Sequence, residues 1–159
     1  MQAEERIHRE FPTAGTERAA IVFVSASAED ARAFRKNAGG SRWLIVNVPD
    51  LNGARAVIDK LRPELVVCDT EIEGRGSWRD LLEEQDGIPG FVLVVAARHA
   101  SEALWAEVLN LGGSDVLEKP FAVEEVEHVI GLGLQGVREG REILARKSVL
   151  RAARWSRGG

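Results

Sequence analysis

Apolar residues along this chain fall into short unbroken runs, and segments with helical spacing separate them. "AAIVFVSA" (Ala19–Ala26) is apolar and rich in β-branched residues, which predicts a buried strand. "RWLIVNV" (Arg42–Val48), "ELVVCD" (Glu64–Asp69), "FVLVVAA" (Phe91–Ala97) and the shorter "SDVLEKP" (Ser114–Pro120) predict four more. Between the first two runs, Ser27 can cap a helix whose inward positions include Ala31 and Phe34, and Gly39-Gly40 stops it. Ala54, Val57, Ile58 and Leu61 share one face of a second helix that Pro63 ends. Trp78, Leu81 and Leu82 sit on a short third helix. Leu104, Val108 and Leu111 recur at i, i+4, i+7 on a fourth, closed by Gly112-Gly113. A last helix starts at Ala122 and is expected to run to about residue 153. Residues 1–18 read as a polar leader.

Five strands therefore alternate with five helices through short loops. The strands are apolar throughout rather than alternating, as in a parallel sheet covered on both faces. Right-handed crossovers then make an open, doubly wound α/β sheet. Ligands of such sheets gather at the carboxyl ends of the strands. Asp69 ends the third strand and Lys119 follows the fifth, so both are expected at that edge.

Composition changes this picture little. A chain of 159 residues, 45% hydrophobic and 29% charged, suits one globular domain. No apolar run approaches the ~20 residues that span a bilayer. The start, "MQAEERIHREF", lacks the apolar region of a signal peptide. Cys68 is the single cysteine, so no intrachain disulfide can form. A cytoplasmic protein without membrane contact is expected. The net charge of −4 hides an asymmetry. From Leu132 onward seven Lys or Arg face two acids, about +5, which leaves about −9 for the rest. Such a tail is either a solvated basic helix or a surface for acidic partners, nucleic acid included. It carries neither a helix-turn-helix nor interleaved aromatics, so nucleic acid is the less expected partner.

From about Ala19 to about Leu134 the chain resembles the receiver domain of two-component response regulators, the CheY-like family. Three features carry the resemblance: the third strand ending in Asp69, with Gly74 five residues on; "LEKPF" (Leu117–Phe121); and the longer run "LNLGGSDVLEKPF" that leads into it. The resemblance implies a flavodoxin-like (βα)5 sheet in the order 2-1-3-4-5 and a cis bond between Lys119 and Pro120. It also implies that Asp69 is the phosphoacceptor and that Lys119 contacts its phosphoryl group. Family members hold Mg²⁺ with the acceptor and with acidic residues after strand one. They have a Ser or Thr after strand four and an aromatic switch residue on strand five.

This chain departs from that pattern. Ser25 and Ala26 stand where the acidic pair belongs. Glu29 and Asp30 come later, inside the first helix, and are expected to lie too far round to replace it. Ala96 or Ala97, depending on a one-residue gap, takes the hydroxyl position; Val116 takes the aromatic one, and Glu73 replaces a usual proline. Of the family's working parts Asp69 and Lys119 survive, and two opposite charges at one edge can simply pair. No cofactor is expected. Mg²⁺ would bind only if the pocket functions, through Asp69 and at most Glu71.

The remaining motifs carry less. "GLGLQG" (Gly131–Gly136) spells a dinucleotide fingerprint but follows no strand, so its glycines are read as bending the last helix or allowing close packing. His8, His99 and His128 are scattered without ligand spacing and are expected at the surface, while Cys68 is expected as a small buried hydrophobe. Trp105 is read either as core or as an exposed interface aromatic. Val123, Ile130, Val137 and Leu144 recur every seven residues, with Ile143 and Leu150 flanking them, until Arg151 breaks the seam. The organisation expected is a leader (1–18), a receiver-like domain (19–134) and a basic amphipathic extension (135–159).

The leading functional reading is a stand-alone signalling module rather than an enzyme. It would be degenerate at its acidic pocket and act by protein–protein contact. Its expected partners are a histidine kinase or another signalling protein. A twin chain could pair through helix four, strand five, helix five and the C-terminal helix. The alternatives are a phosphoaccepting regulator that uses Asp69 with weak metal help, and nucleic-acid contact through the tail.

Overall fold

The structure, a computed structural model, describes residues 19–39, 43–84, 90–131 and 133–135. Strands β1 (Ala20–Val24), β2 (Leu44–Val48), β3 (Leu65–Asp69), β4 (Val92–Ala97) and β5 (Asp115–Glu118) alternate with helices. These are α1 (Ala28–Asn37), α2 (Leu51–Leu61), α3 (Trp78–Glu83) and α4 (Glu102–Leu111). A fifth helix, α5, occupies 123–131 and 133–135. The leader (1–18) and all of the basic extension beyond Gln135, with Val137, Ile143, Leu144 and Leu150, lie outside the described residues.

All strand pairs are parallel and the order is β2-β1-β3-β4-β5. Continuously apolar strands suit this arrangement, because both faces of the sheet are covered by helices. One face packs Val24, Val48, Cys68, Val95 and Val116 against Val57 of α2, Trp78 of α3 and Val108 of α4. The other packs Phe23, Val67, Ala96 and Leu117 against Phe34 of α1 and Val126 and Ile130 of α5. Phe23 stacks on Phe34 with ring centroids 4.7 Å apart, and Phe121 meets both rings edge-on.

Helix starts are set by side-chain caps on the carboxyl side of the sheet. Ser27, Asp50 and Ser101 accept from the backbone N–H of Asp30, Gly53 and Leu104, and Ser77 forms a reciprocal capping box with Asp80. Each cap satisfies an orphan N–H and fixes the phase of its helix against the strand before it.

Two packing expectations are corrected. Val123, expected on an apolar seam with Ile130, is 50% exposed, whereas Val126, Val129, Ile130 and Leu134 are buried. α5 lies on a sheet and follows the 3.6-residue period, not the 3.5-residue period of a helix pair. Leu111 is 49% exposed because α4 ends there, at the left-handed Gly112. Trp105 is exposed, together with Leu109 one turn on. Gly133 of "GLGLQG" serves close packing, where a Cβ would meet Leu65 Cδ1 at 3.0 Å and Val92 Cγ1 at 3.4 Å, whereas one on Gly131 would meet nothing within 4 Å. His99 and His128 are exposed and Cys68 is fully buried, as expected.

Candidate functional site at the carboxyl edge of the sheet

Strand parity decides which side chains meet. Alternate residues of a strand point to opposite faces. Phe23 and Val67 face α1 and α5, so Ser25 and Asp69, two residues on, belong to the same face. Asp69 is the register partner of Ala96, whose neighbours are on that face too. Lys119 lies two after Leu117, and its backbone N–H donates to Ala97 O at 2.8 Å, which carries the chain past the end of β4. The peptide bond from Lys119 to Pro120 is cis. Four chain segments thus deliver Ser25, Asp69, Ala96 and Lys119 to one spot.

Asp69 is only 2% exposed, so its charge needs partners. Lys119 Nζ lies 2.5 Å from Asp69 Oδ2. The Ser25 hydroxyl donates to the same oxygen at 3.0 Å, and the Glu71 backbone N–H donates to Oδ1 at 3.1 Å. Ser25 Oγ in turn accepts from the Ser27 N–H at 3.1 Å. The carboxylate is therefore held by one cation, one hydroxyl and one amide.

Asp30 completes the group through Lys119, a contact the sequence reading did not anticipate. Lys119 Nζ is 2.7 Å from Asp30 Oδ2, so one ammonium bridges two carboxylates. A signal for this was present in the sequence. Asp30 stands four residues before Phe34, an inward position, and i, i+4 residues share a helix face. Glu29, one residue earlier, is exposed. Burial alone would lower the Lys119 pKa. The hydrogen bonds and charges of Asp30 and Asp69 outweigh it and hold the ammonium above the ordinary lysine range. Burial, and then the Asp69 charge, push the Cys68 thiol up to about 12.

The other expected site residues fall elsewhere. Ala97 and Ala26 lie one residue out of step with the Asp69 face, so Ala96 is the methyl beside the carboxylate. Val116 is buried in the opposite cluster, beside its register partner Val95. Glu71 sends only its backbone N–H to Asp69; its exposed side chain is 3.9 Å from Arg98. Glu73 pairs by its backbone with the β2–α2 loop.

This donor set does not fit Mg²⁺. A hard cation wants several oxygen ligands in an octahedron. Here Ser25 and Ala26 supply one neutral hydroxyl and none, and an ammonium already sits on Asp69 Oδ2. Among the described residues no group of three or more His, Cys, Asp or Glu is arranged for a metal ion.

Solved structures that share this architecture include receiver domains. A signal receiver domain from Vibrio parahaemolyticus superposes with a TM-score of 0.70 at 23% identity, covering 79% of this chain and 97% of that one. A CheY-like response regulator receiver domain protein from Methanospirillum hungatei gives 0.67 at 16% identity, over 77% of this chain and 98% of that one.

The chain has the receiver fold.

NtrX from Brucella abortus shares the receiver fold over 82% of this chain but 30% of its own length, with a TM-score of 0.72 and 22% identity. A curated relative, "Probable transcriptional regulatory protein TcrX" of Mycobacterium tuberculosis, is 36% identical over 87 residues. That match covers 53% of this chain and 36% of the relative, so the chain spans about a third of that relative's length. No family model matches the chain. Among the described residues no helix is long and apolar enough to cross a membrane.

Proposed function

We propose that this chain is a receiver-type signalling module of a two-component system, degenerate at its acidic pocket and working by protein–protein contact. The observation that carries the reading is the ion pair at the carboxyl edge. Asp69 and Lys119 hold a receiver's acceptor and lysine places, yet they are spent on each other and on Asp30. The parts that would pass a signal onward are missing. Ala96 has no hydroxyl to close on a phosphoryl group, and Val116 has no ring to rotate. A modification shifts a two-state equilibrium only through contacts that differ between the states. A near-complete switch needs about 5.5 kcal/mol, which one lysine contact does not supply. Contact surface is available on α4, where Trp105, Leu109 and Leu111 are exposed. Its partner is a histidine kinase, another signalling protein or a second copy of the chain.

The second reading keeps the chemistry. Asp69 would attack the phosphorus of a phosphohistidine, forming an acyl phosphate as the N–P bond breaks. The place of Asp69 at the end of β3, beside Lys119, favours it. Beryllofluoride, applied with and without Mg²⁺ to the wild type and to Asp69→Asn, separates the two. The contact reading expects amide NMR shifts confined to the loops around Asp69. Shifts that spread through α4 and β5 in the wild type alone would overturn it in favour of the phospho-switch.

A further inference from the structure

Asp30 is held where it is by a complete seam. Asp30, Phe34 and Asn37 follow one another at i, i+4 and i+7 along α1. Each of them touches the segment that begins at Lys119. Asp30 takes the ammonium, Phe34 meets the Phe121 ring with centroids 5.9 Å apart, and Asn37 Nδ2 donates to Phe121 O at 2.6 Å. The cap fixes the first turn, since the Asp30 N–H donates to Ser27 Oγ at 3.1 Å. The Asp30 carboxylate is thus aimed at Lys119 by contacts at both ends of the helix.

Its position among the three charges is specific. The Lys119 side chain is 8% exposed and that of Asp69 2%, but that of Asp30 is 26%. Asp30 is the member of the group that faces solvent. The ammonium has three N–H donors, and the two carboxylates engage two of them. The three groups together carry a charge of −1, which repels a further anion.

We infer that Asp30 is a built-in counter-anion that occupies, on Lys119, the place a phosphate-like oxyanion would need, and so keeps the acceptor edge closed to such groups. This deepens the reading above and rests on it, because it takes Asp69 and Lys119 as the acceptor edge. Asp30 acts through Lys119 and is a positioning residue, not a catalytic one. Removing its charge leaves the ammonium paired with Asp69 alone, on the oxygen to which the Ser25 hydroxyl also donates.

Sulfate tests this, followed by amide NMR shifts at Ser25, Glu71 and Lys119 at fixed ionic strength. Asp69→Asn is the background, because it removes repulsion by the acceptor itself. Asp69→Asn alone should remain closed, and Asp69→Asn with Asp30→Asn should bind sulfate at least about tenfold more tightly. Adding Lys119→Met should abolish the gain. Glu29→Gln in the same background removes an adjacent exposed charge without touching Lys119, and should change nothing. Equal sulfate binding with and without Asp30, or an equal gain from Glu29→Gln, would overturn the inference. The dispersion of the amide spectrum reports separately that each variant is folded. The beryllofluoride experiment on the wild type tests the functional reading independently of this one.

Discussion

Ser25 donates its hydroxyl to Asp69 Oδ2 across 3.0 Å and so joins the ends of β1 and β3 inside a closed site. Both residues are almost fully buried. Removing one donor from a buried carboxylate costs about 1–3 kcal/mol, and Asp69 Oδ2 is then left with the Lys119 ammonium alone. Ser25→Ala should lower stability by that amount in urea unfolding, with an unchanged slope against denaturant.

Lys119 and Asp69 should behave asymmetrically. Lys119→Met strands two carboxylates, one of them buried, and breaking a buried pair in this way costs about 3–5 kcal/mol. Asp69→Asn removes the buried charge itself and leaves Lys119 paired with Asp30, so it should cost much less. Equal losses for the two variants in urea unfolding would contradict the shared-ammonium geometry.

Stability should decline in alkali in two stages. An unfolded thiol ionises near ~8.5, whereas folded Cys68 keeps its proton to about 12. Below ~8.5 both states are neutral at this position. Above it the unfolded state releases a proton that the folded state retains, so stability falls as pH rises. Lys119 is also raised, so its contribution is intact below the unfolded value of ~10.4 and is lost as pH climbs through the higher folded one. Unfolding midpoints from pH 7 to 11 check this. Cys68→Ala should flatten the first stage and Lys119→Met the second.

Magnesium should not saturate the wild type at low-millimolar concentration, as judged by amide shifts around Asp69. Ser25→Asp with Ala26→Asp restores the acidic pair that the receiver resemblance implies, the first of the two on the Asp69 face, and gives the cation oxygen ligands that compete with Lys119. The double variant should bind Mg²⁺ in that range, with the largest shifts at Asp69, Glu71 and Lys119. Saturation of the wild type at the same concentrations would show that the ammonium yields easily.

Much of this protein was legible in one dimension. Unbroken apolar runs such as Ile21–Val24 and Leu65–Cys68 call for a sheet covered on both faces, and their alternation with helices makes it parallel. The polar residues that end those runs, Asp69 and then Lys119, must then emerge at the carboxyl edge. What the tertiary structure decided was distance across segments. Whether Ala96 or Ala97 lies beside Asp69 depends on the β3–β4 register, since one residue of slip exchanges the two faces. Val123 and Leu111 fit apolar patterns yet stay exposed, because only packing determines where a helix leaves its sheet. Asp30 shows the division most clearly. Its spacing from Phe34 gave it a face, but only the packing of α1 against the Lys119–Phe121 segment, 89 residues away along the chain, brings its carboxylate within 2.7 Å of the ammonium.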